Sequence, residues 1–222
     1  MGNAIAFSNQ VFKLELSDRV SIKPEKAITI ETWVNRKKSI AQTNPVILDK
    51  TDFGLSFDGT DTSQFLSFNL KISGVVHTLK SKTKILSNRW YHVTATYDGA
   101  VMNLFVNGDL DASTLKAGNL SSSATPLYIG GNSTPSSFFT GSIDELRLWN
   151  IVRDSIQIKQ NYTKMLTGNE FGLFAYWRFD ENTGSAVATD LSRFKNHLNI
   201  SSASVALITS NVLPLAPAEF SI

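Results

Sequence analysis

Trp90-Tyr91-His92-Val93-Thr94-Ala95-Thr96-Tyr97, closed by Asp98-Gly99, and then Met102-Asn103-Leu104-Phe105-Val106, closed by Asn107-Gly108, decide the fold. In the first run Tyr91, Val93, Ala95 and Tyr97 alternate with His92, Thr94 and Thr96, which is the period of a β-strand with one face on a core. The polar side is expected to face water, with His92 a hydrogen-bonded surface histidine rather than a catalytic base. Asp-Gly and Asn-Gly supply the left-handed residues that tight hairpin turns require. Two such turns bracketing alternating residues predict an antiparallel meander.

Working outward, similar short runs recur between turn residues. Strands are expected over 4–7, 13–16, 28–34, 46–50, 54–57, 65–72 and 75–79 on one side of the meander, and over 127–130, 143–149, 174–179 and 197–200 on the other. One segment differs. Ile158, Tyr162 and Met165 recur at helical spacing, and Asp154 with Gln157 three residues on forms a capping-box variant, so a short helix is predicted near residues 154–165. The fold class is therefore all-β, a two-sheet antiparallel sandwich carrying one short helix. Residues 1–212 read as one domain and 213–222 as a Pro/Ala-containing tail suited to a hinge.

The chain has 222 residues, enough for a substantial core, and only 18% of them are charged. That fraction lies below the usual quarter or so and excludes disorder and coiled coil. Cysteine is absent, so disulfides, thiolate metal sites and a cysteine nucleophile are excluded. The 21 basic and 19 acidic residues are dispersed, and the densest cluster, Arg36-Lys37-Lys38, reads as a solvated turn. No nucleic-acid partner is expected from so short a stripe. No apolar run approaches the ~20 residues of a membrane span, and the N-terminus lacks the features of a signal peptide.

Catalytic signatures are likewise missing. His77, His92 and His197 are scattered, no serine sits in a Gly-x-Ser-x-Gly elbow, and Gly130-Gly131 lacks the lysine and helix of a phosphate loop. The acidic pairs Asp144-Glu145 and Asp180-Glu181 are adjacent in strands and so are expected to face opposite ways, which no carboxylate-pair hydrolase could use.

Four segments in order resemble laminin G-like modules of the concanavalin A-like lectin/glucanase superfamily, in its pentraxin-like bacterial branch. Gly2–Phe7 with Ile28–Val34 resembles their opening strands, and Trp90–Gly99 with Leu104–Gly108 their central hairpin. Gly141–Asn150 with Arg153 resembles the closing strand, and Gly168–Glu181 with Asp190–Ser192 the strand and loop after the helix. The resemblance implies a jelly roll of one concave and one convex sheet, and it implies that Trp33, Trp90, Trp149 and Trp177 are core. It also implies a structural Ca2+ at Asp144 on the convex face. The paired calcium site of pentraxins is not expected, because Gly130–Thr134 has no carboxylate at the matching place. The glucanase Glu-x-Asp-x-(x)-Glu pattern occurs on none of the strands.

Without metal, sugars are held by an aromatic platform and a fringe of amides and carboxylates. Candidate ligand-binding residues are Asp52 and Phe53, then Asp58, Asp61 and Gln64, then Asn132, Phe138 and Phe139. Asp52 also reads as a turn residue. Of the adjacent rings Phe138 and Phe139, one is expected to point outward if the segment is extended. Asn119, Asn132, Asn161 and Asn199 begin glycosylation sequons, which matter only in a eukaryotic secretory pathway.

These features together suggest a non-catalytic carbohydrate- or cell-surface-binding module, lectin-like and active in adhesion. Its partner would be a glycan or cell-surface receptor, with no membrane insertion. The setting would be extracellular, at the cell surface, with neighbouring domains in a larger bacterial or toxin-like protein. The alternatives are a structural or oligomerisation domain without small ligand and a divergent polysaccharide hydrolase.

Overall fold

The computed structural model describes residues 2–8, 13–38, 44–60, 63–200, 205–210 and 216–217. In chain order the strands are β1 (Asn3–Phe7), β2 (Leu14–Leu16), β3 (Ile28–Arg36), β4 (Val46–Lys50), β5 (Phe53–Thr60), β6 (Ser63–Ile72), β7 (Val75–Ile85), β8 (Trp90–Tyr97), β9 (Val101–Val106), β10 (Asp109–Leu115), β11 (Leu127–Ile129) and β12 (Gly141–Trp149). After them come helix α1 (Ser155–Asn161) and the strands β13 (Lys164–Met165), β14 (Leu173–Trp177), β15 (Val187–Ala188), β16 (Leu198–Asn199), β17 (Val205–Thr209) and β18 (Ala216–Pro217).

Two sheets form the sandwich. One runs β10-β9-β8-β3-β12-β1-β17 with β14 also on β12; the other runs β2-β11-β4-β5-β6-β7. Pairing within both is antiparallel; β8 and β9 are the predicted hairpin, and β10, not expected from sequence, extends it into a meander. Asn107 and Gly108 sit at φ 53° and 81°, joining Val106 directly to its partner Asp109, which is the mirror-image turn that matches strand twist. Between the sheets, Ile5, Ile30, Val34, Val93, Leu104 and Leu146 pack with Leu55, Phe57, Leu66 and Phe68 in one continuous core. The predicted helix forms, with Asp154 Oδ1 accepting from the Gln157 amide at 2.8 Å and Gln157 Oε1 from the Asp154 amide at 3.1 Å.

Several expectations need correction. The polar side of β8 is not wet: His92, Thr94 and Thr96 are all buried, because α1 and the segment after it lie over that side of the sheet. The ring of Tyr162, at the end of α1, stacks on Trp33 at 6.0 Å and tilts against His92 at 5.4 Å. Trp33 and Trp149 are buried on this outer side rather than between the sheets, Trp177 is in the core, and Trp90 is only half-buried. Arg36 is no solvated turn residue; it is buried and donates from Nε to the Ile85 carbonyl at 2.9 Å.

Asp144 and Glu145 do not face opposite ways. The register of β12 on β3 slips between Asp144 (opposite Trp33) and Arg147 (opposite Glu31), and Glu145 takes φ 52°. This bulge restarts the alternation, so Ile143, Leu146 and Leu148 enter the core while Asp144, Glu145 and Arg147 lie on the outer side. Asp180-Glu181 lies in a loop beyond β14, where Asp180 accepts from the Asn3 amide and Glu181 from the Thr189 amide.

The two sheets meet along one side. There Asp111 of β10 accepts the amides of Lys82 at 2.6 Å and Thr83 at 3.1 Å on β7, the last strand of the six-stranded sheet.

Candidate functional site

Both sheets carry polar residues away from the core, and the two sets have different surroundings. On the eight-stranded sheet they are sealed. Glu31 is fully buried, with His92 Nε2 and Arg147 Nη1 both 3.8 Å away. Arg147 donates to Glu145 Oε2 at 2.7 Å and to the carbonyl oxygens of Asn161 at 3.3 Å and Lys164 at 2.5 Å. The Tyr176 hydroxyl donates to the same Glu145 oxygen at 2.6 Å. Burial, and then the charge of Arg147, hold His92 well below the ordinary histidine range, so the ring is neutral and out of reach of any substrate. This cluster clasps the segment after α1 to the sheet.

On the six-stranded sheet part of the polar set is reachable from solvent: Asp49, Asp58 and Asn69 are half-buried, while Ser56, Gln64 and Ser67 are buried. Phe53, Leu55 and Phe57 point into the core, so Gly54, Ser56 and Asp58 take the other face of β5 by alternation. Across the strands, Glu15, Tyr128, Asp49, Gly54, Asn69 and Thr78 stand opposite one another in a single row. A cleft of about 290 Å³ opens along it, lined among others by Asp49, Gly54, Ser56, Asn69, Asn132 and Ser137.

The cleft is prearranged by hydrogen bonds among its own walls. Thr78 Oγ1 donates to Asn69 Oδ1 at 2.7 Å, and Asn69 Nδ2 reaches Ser56 Oγ at 3.4 Å. On the opposite wall Asn132 Oδ1 accepts from the Thr134 amide at 2.8 Å and from Ser137 Oγ at 2.6 Å. Burial pushes the half-buried Asp49 carboxyl up, against the Asn132 hydrogen bond and the Lys13 ammonium that draw it down. Lys13 sits 3.4 Å from the centre of the Tyr128 ring and 3.8 Å from Glu15. Hydroxyls, amides and one carboxylate in one trough can exchange hydrogen bonds with a polyol. Among the described residues lining it, Asp49 is the sole carboxylate, which provides no acid/base pair for glycoside hydrolysis.

Of the residues expected from sequence, Asn132 lines this cleft and Asp58 lies two positions beyond Ser56 on the same face, paired with Lys80. Asp52 is the turn residue between β4 and β5, its Oδ2 accepting from the Ser123 amide at 2.6 Å and from Ser123 Oγ at 2.5 Å. Phe53 is core and Gln64 is buried. Asp61 lies outside the described residues.

Phe138 and Phe139 are both buried, so neither ring points outward. A 3₁₀ turn over Pro135–Ser137 precedes them and breaks the strand alternation. Phe138 folds onto Gly131, while Phe139 packs between Phe7 and Phe57 at 6.2 and 6.1 Å.

Asp144 is 5% exposed; its Oδ1 accepts from the Glu145 amide and its Oδ2 from Ser210 Oγ, each at 2.8 Å. Burial, with Glu145 and Asp180 nearby, raises its carboxyl to about 8 despite those bonds. Among the described residues no group of three or more His, Asp or Glu side chains is placed to hold a metal ion. A cation at Asp144 would therefore draw most of its shell from backbone carbonyls.

Sequence reading missed Asp49, Gly54, Ser56, Asn69 and Ser137. The available signal was the polar half of the β5 and β6 alternation together with a glycine in mid-strand.

A family model described as the concanavalin A-like lectin/glucanases superfamily, in its laminin G type, matches residues 10–159. Pappalysin-1 from mouse is 25% identical over 177 residues, 70% of this chain and 11% of that protein; human pappalysin-1 matches to the same extent. The chain thus spans about a tenth of the length of these relatives.

Among solved structures, a candidate carbohydrate-binding protein from Bacteroides ovatus superposes with a TM-score of 0.75 at 23% identity, over 97% of this chain and 62% of that one. Domain 4 of an extracellular arabinanase from Geobacillus stearothermophilus, solved with arabinotriose, gives 0.56 at 17% identity over 70% and 74%. A pentraxin from Limulus polyphemus gives 0.55 at 16% over 72% and 81%. With the family match covering most of the sandwich and the two-sheet architecture in place, this chain belongs to the laminin G-type group of the concanavalin A-like lectin/glucanases superfamily.

Proposed function

We propose that the chain is a non-catalytic glycan-binding module that engages its ligand in the cleft on the open face of the six-stranded sheet. The observation that carries this reading is the cleft itself, an open trough whose hydroxyl, amide and carboxylate groups are already ordered by the Thr78–Asn69–Ser56 and Asn132–Ser137 hydrogen bonds. Preordered polar groups beside an apolar core are what a sugar site requires. The sugar in the arabinanase domain structure and the carbohydrate-binding description of the Bacteroides protein are in keeping with it. An extracellular or cell-surface setting, with the module carried in a larger protein, suits such a role.

A glycan array followed by titration calorimetry, with and without chelator, tests the reading. Binding to at least one glycan is expected. No binding to any glycan under either condition overturns it.

Calcium at Asp144 is a separate proposal, which the family resemblance suggests and which would lean on backbone carbonyls beside this one carboxylate. Asp144→Ala should then lower the melting temperature in calcium and not in chelator, and equal shifts in both would sink it.

A further inference from the structure

Three turns, at residues 18–22, 167–172 and 190–196, gather beside β14. Gly168 lies so close to the Leu191 carbonyl that a Cβ there would strike it. Ser21 Oγ donates to Asn196 Oδ1 at 3.0 Å, which sets the first turn against the last.

Each turn ties its carboxylate down. Glu170 Oε1 accepts from the Thr167 amide at 2.7 Å and its Oε2 from the Gly168 amide at 2.9 Å. Asp190 accepts the Tyr176 amide at 2.9 Å, the Ser192 amide at 2.8 Å and the Asn196 amide at 2.7 Å. Such side-chain bonds to nearby amides fix the backbone of a turn. Asp18 is paired with Lys23 at 2.7 Å and with Lys50 at 3.1 Å.

What the turns send outward is, by contrast, apolar or cationic. Phe171 and Val20 are each 87% exposed, more than any other large apolar side chain among the described residues. Phe194 is exposed too, with the Arg193 guanidinium 4.7 Å from its ring centre. Phe171 and Arg193 flank one cleft of about 190 Å³. Arg19 and Lys195 are exposed. Among the described residues none of Arg19, Arg193 and Lys195 has a carboxylate partner.

A ring that a fixed turn holds in water adds nothing to the core, and apolar tips gathered in one place mark a surface that meets a partner. Three unpaired cations among them call for an anionic one. The apolar side chains stand singly on projecting turns rather than forming a flat face for another protein. That shape enters a lipid headgroup layer, where rings reach the acyl boundary while Arg and Lys meet phosphate. Such contact is peripheral and spans nothing.

We propose that this corner docks the module on an anionic lipid surface, with Phe171 and Val20 entering the headgroup layer and Arg19, Arg193 and Lys195 meeting its phosphates. The corner shares no residue with the cleft proposed for glycans, so the two readings stand or fall separately.

The test floats the full chain with vesicles of phosphatidylcholine, alone or mixed with phosphatidylserine. Binding to the mixed vesicles is expected, with little to the neutral ones and a loss as salt rises. Phe171→Ser should lower partitioning roughly tenfold, and Arg193→Gln combined with Lys195→Gln by about the same factor. Lys82→Gln combined with Lys84→Gln, which removes two charges from β7 instead, should leave it unchanged. Melting temperature shows that each variant is folded. If one unfolds, amide exchange of the wild-type chain on and off the vesicles decides, with protection expected at residues 168–172 and 192–196.

No binding to mixed vesicles, equal binding to neutral ones, protection centred elsewhere, or equal losses from the two charge variants overturns the proposal. So does capture by heparin that survives Phe171→Ser while vesicles are ignored, which would make the corner a site for an acidic polymer.

Discussion

Each sheet presents a polar outer side, and the two sides have opposite fates. On β3, β8 and β12, Glu31, His92 and Arg147 are sealed under α1 and the segment that follows it. On β4, β5 and β6, Asp49, Ser56 and Asn69 line a trough open to solvent. Alternation in the sequence is the same in both places. The difference comes from elements far along the chain that cover one face and leave the other, so a polar stripe by itself does not mark a wet surface. The covered stripe became a clasp, and its polarity serves cohesion; the open one is free to exchange hydrogen bonds with a ligand.

The contrast should appear first in stability. Arg147→Ala removes the donor to Glu145 and to the Asn161 and Lys164 carbonyls and takes the shared guanidinium from two buried carboxylates. It should cost about 3–5 kcal/mol, the usual penalty for breaking a buried ion pair, which is a melting shift on the order of 10 °C for a chain this size. A loss under about 1 kcal/mol in urea denaturation would mean that the clasp contributes little.

The next effect is a pH dependence on the covered side. With the Asp144 carboxyl raised to about 8 in the folded chain and near 3.9 when unfolded, the folded state holds the proton more tightly. Its contribution is present in full below about pH 4 and is lost as pH rises to about 8. In chelator, Asp144→Asn should flatten stability between pH 5 and 8.5 and gain at least about 1 kcal/mol at the upper end. Parallel curves for the two proteins would refute the shift.

Smaller changes belong to the open face. Asn69→Ala should alter stability by less than about 1 kcal/mol, as surface changes do, while lowering glycan affinity at least tenfold in calorimetry. A large stability loss with intact binding would reverse the assignment of the two faces. Smallest is Lys80→Ala, which breaks the exposed pair with Asp58; a change within about 1 kcal/mol is expected from denaturation curves.

Much of the architecture was legible because its signals are local. Asn107-Gly108 fixes a hairpin in two residues, and Asp154 with Gln157 fixes a helix start in four. β10 carries no such signal, because Asp109–Leu115 has no apolar run to mark it. The site was mostly illegible because it is made by pairing. Asp49, Gly54 and Asn69 become neighbours only through strand register, which no short window reports. Asn132 was found because loop amides draw attention on their own. The orientation of Glu145 was misjudged because one bulged residue reverses everything after it, and Phe138 and Phe139 because a 3₁₀ turn suspends the two-residue period.

The hold of Asp111 on the amides of Lys82 and Thr83 bears on how the molecule behaves in company. An eleven-residue outer strand such as β7 offers a ladder on which another chain could dock and seed fibrils. A carboxylate occupying two of its rungs, with lysines at positions 80, 82 and 84 around them, makes that ladder unwelcoming. Copies that meet in solution can then stay separate.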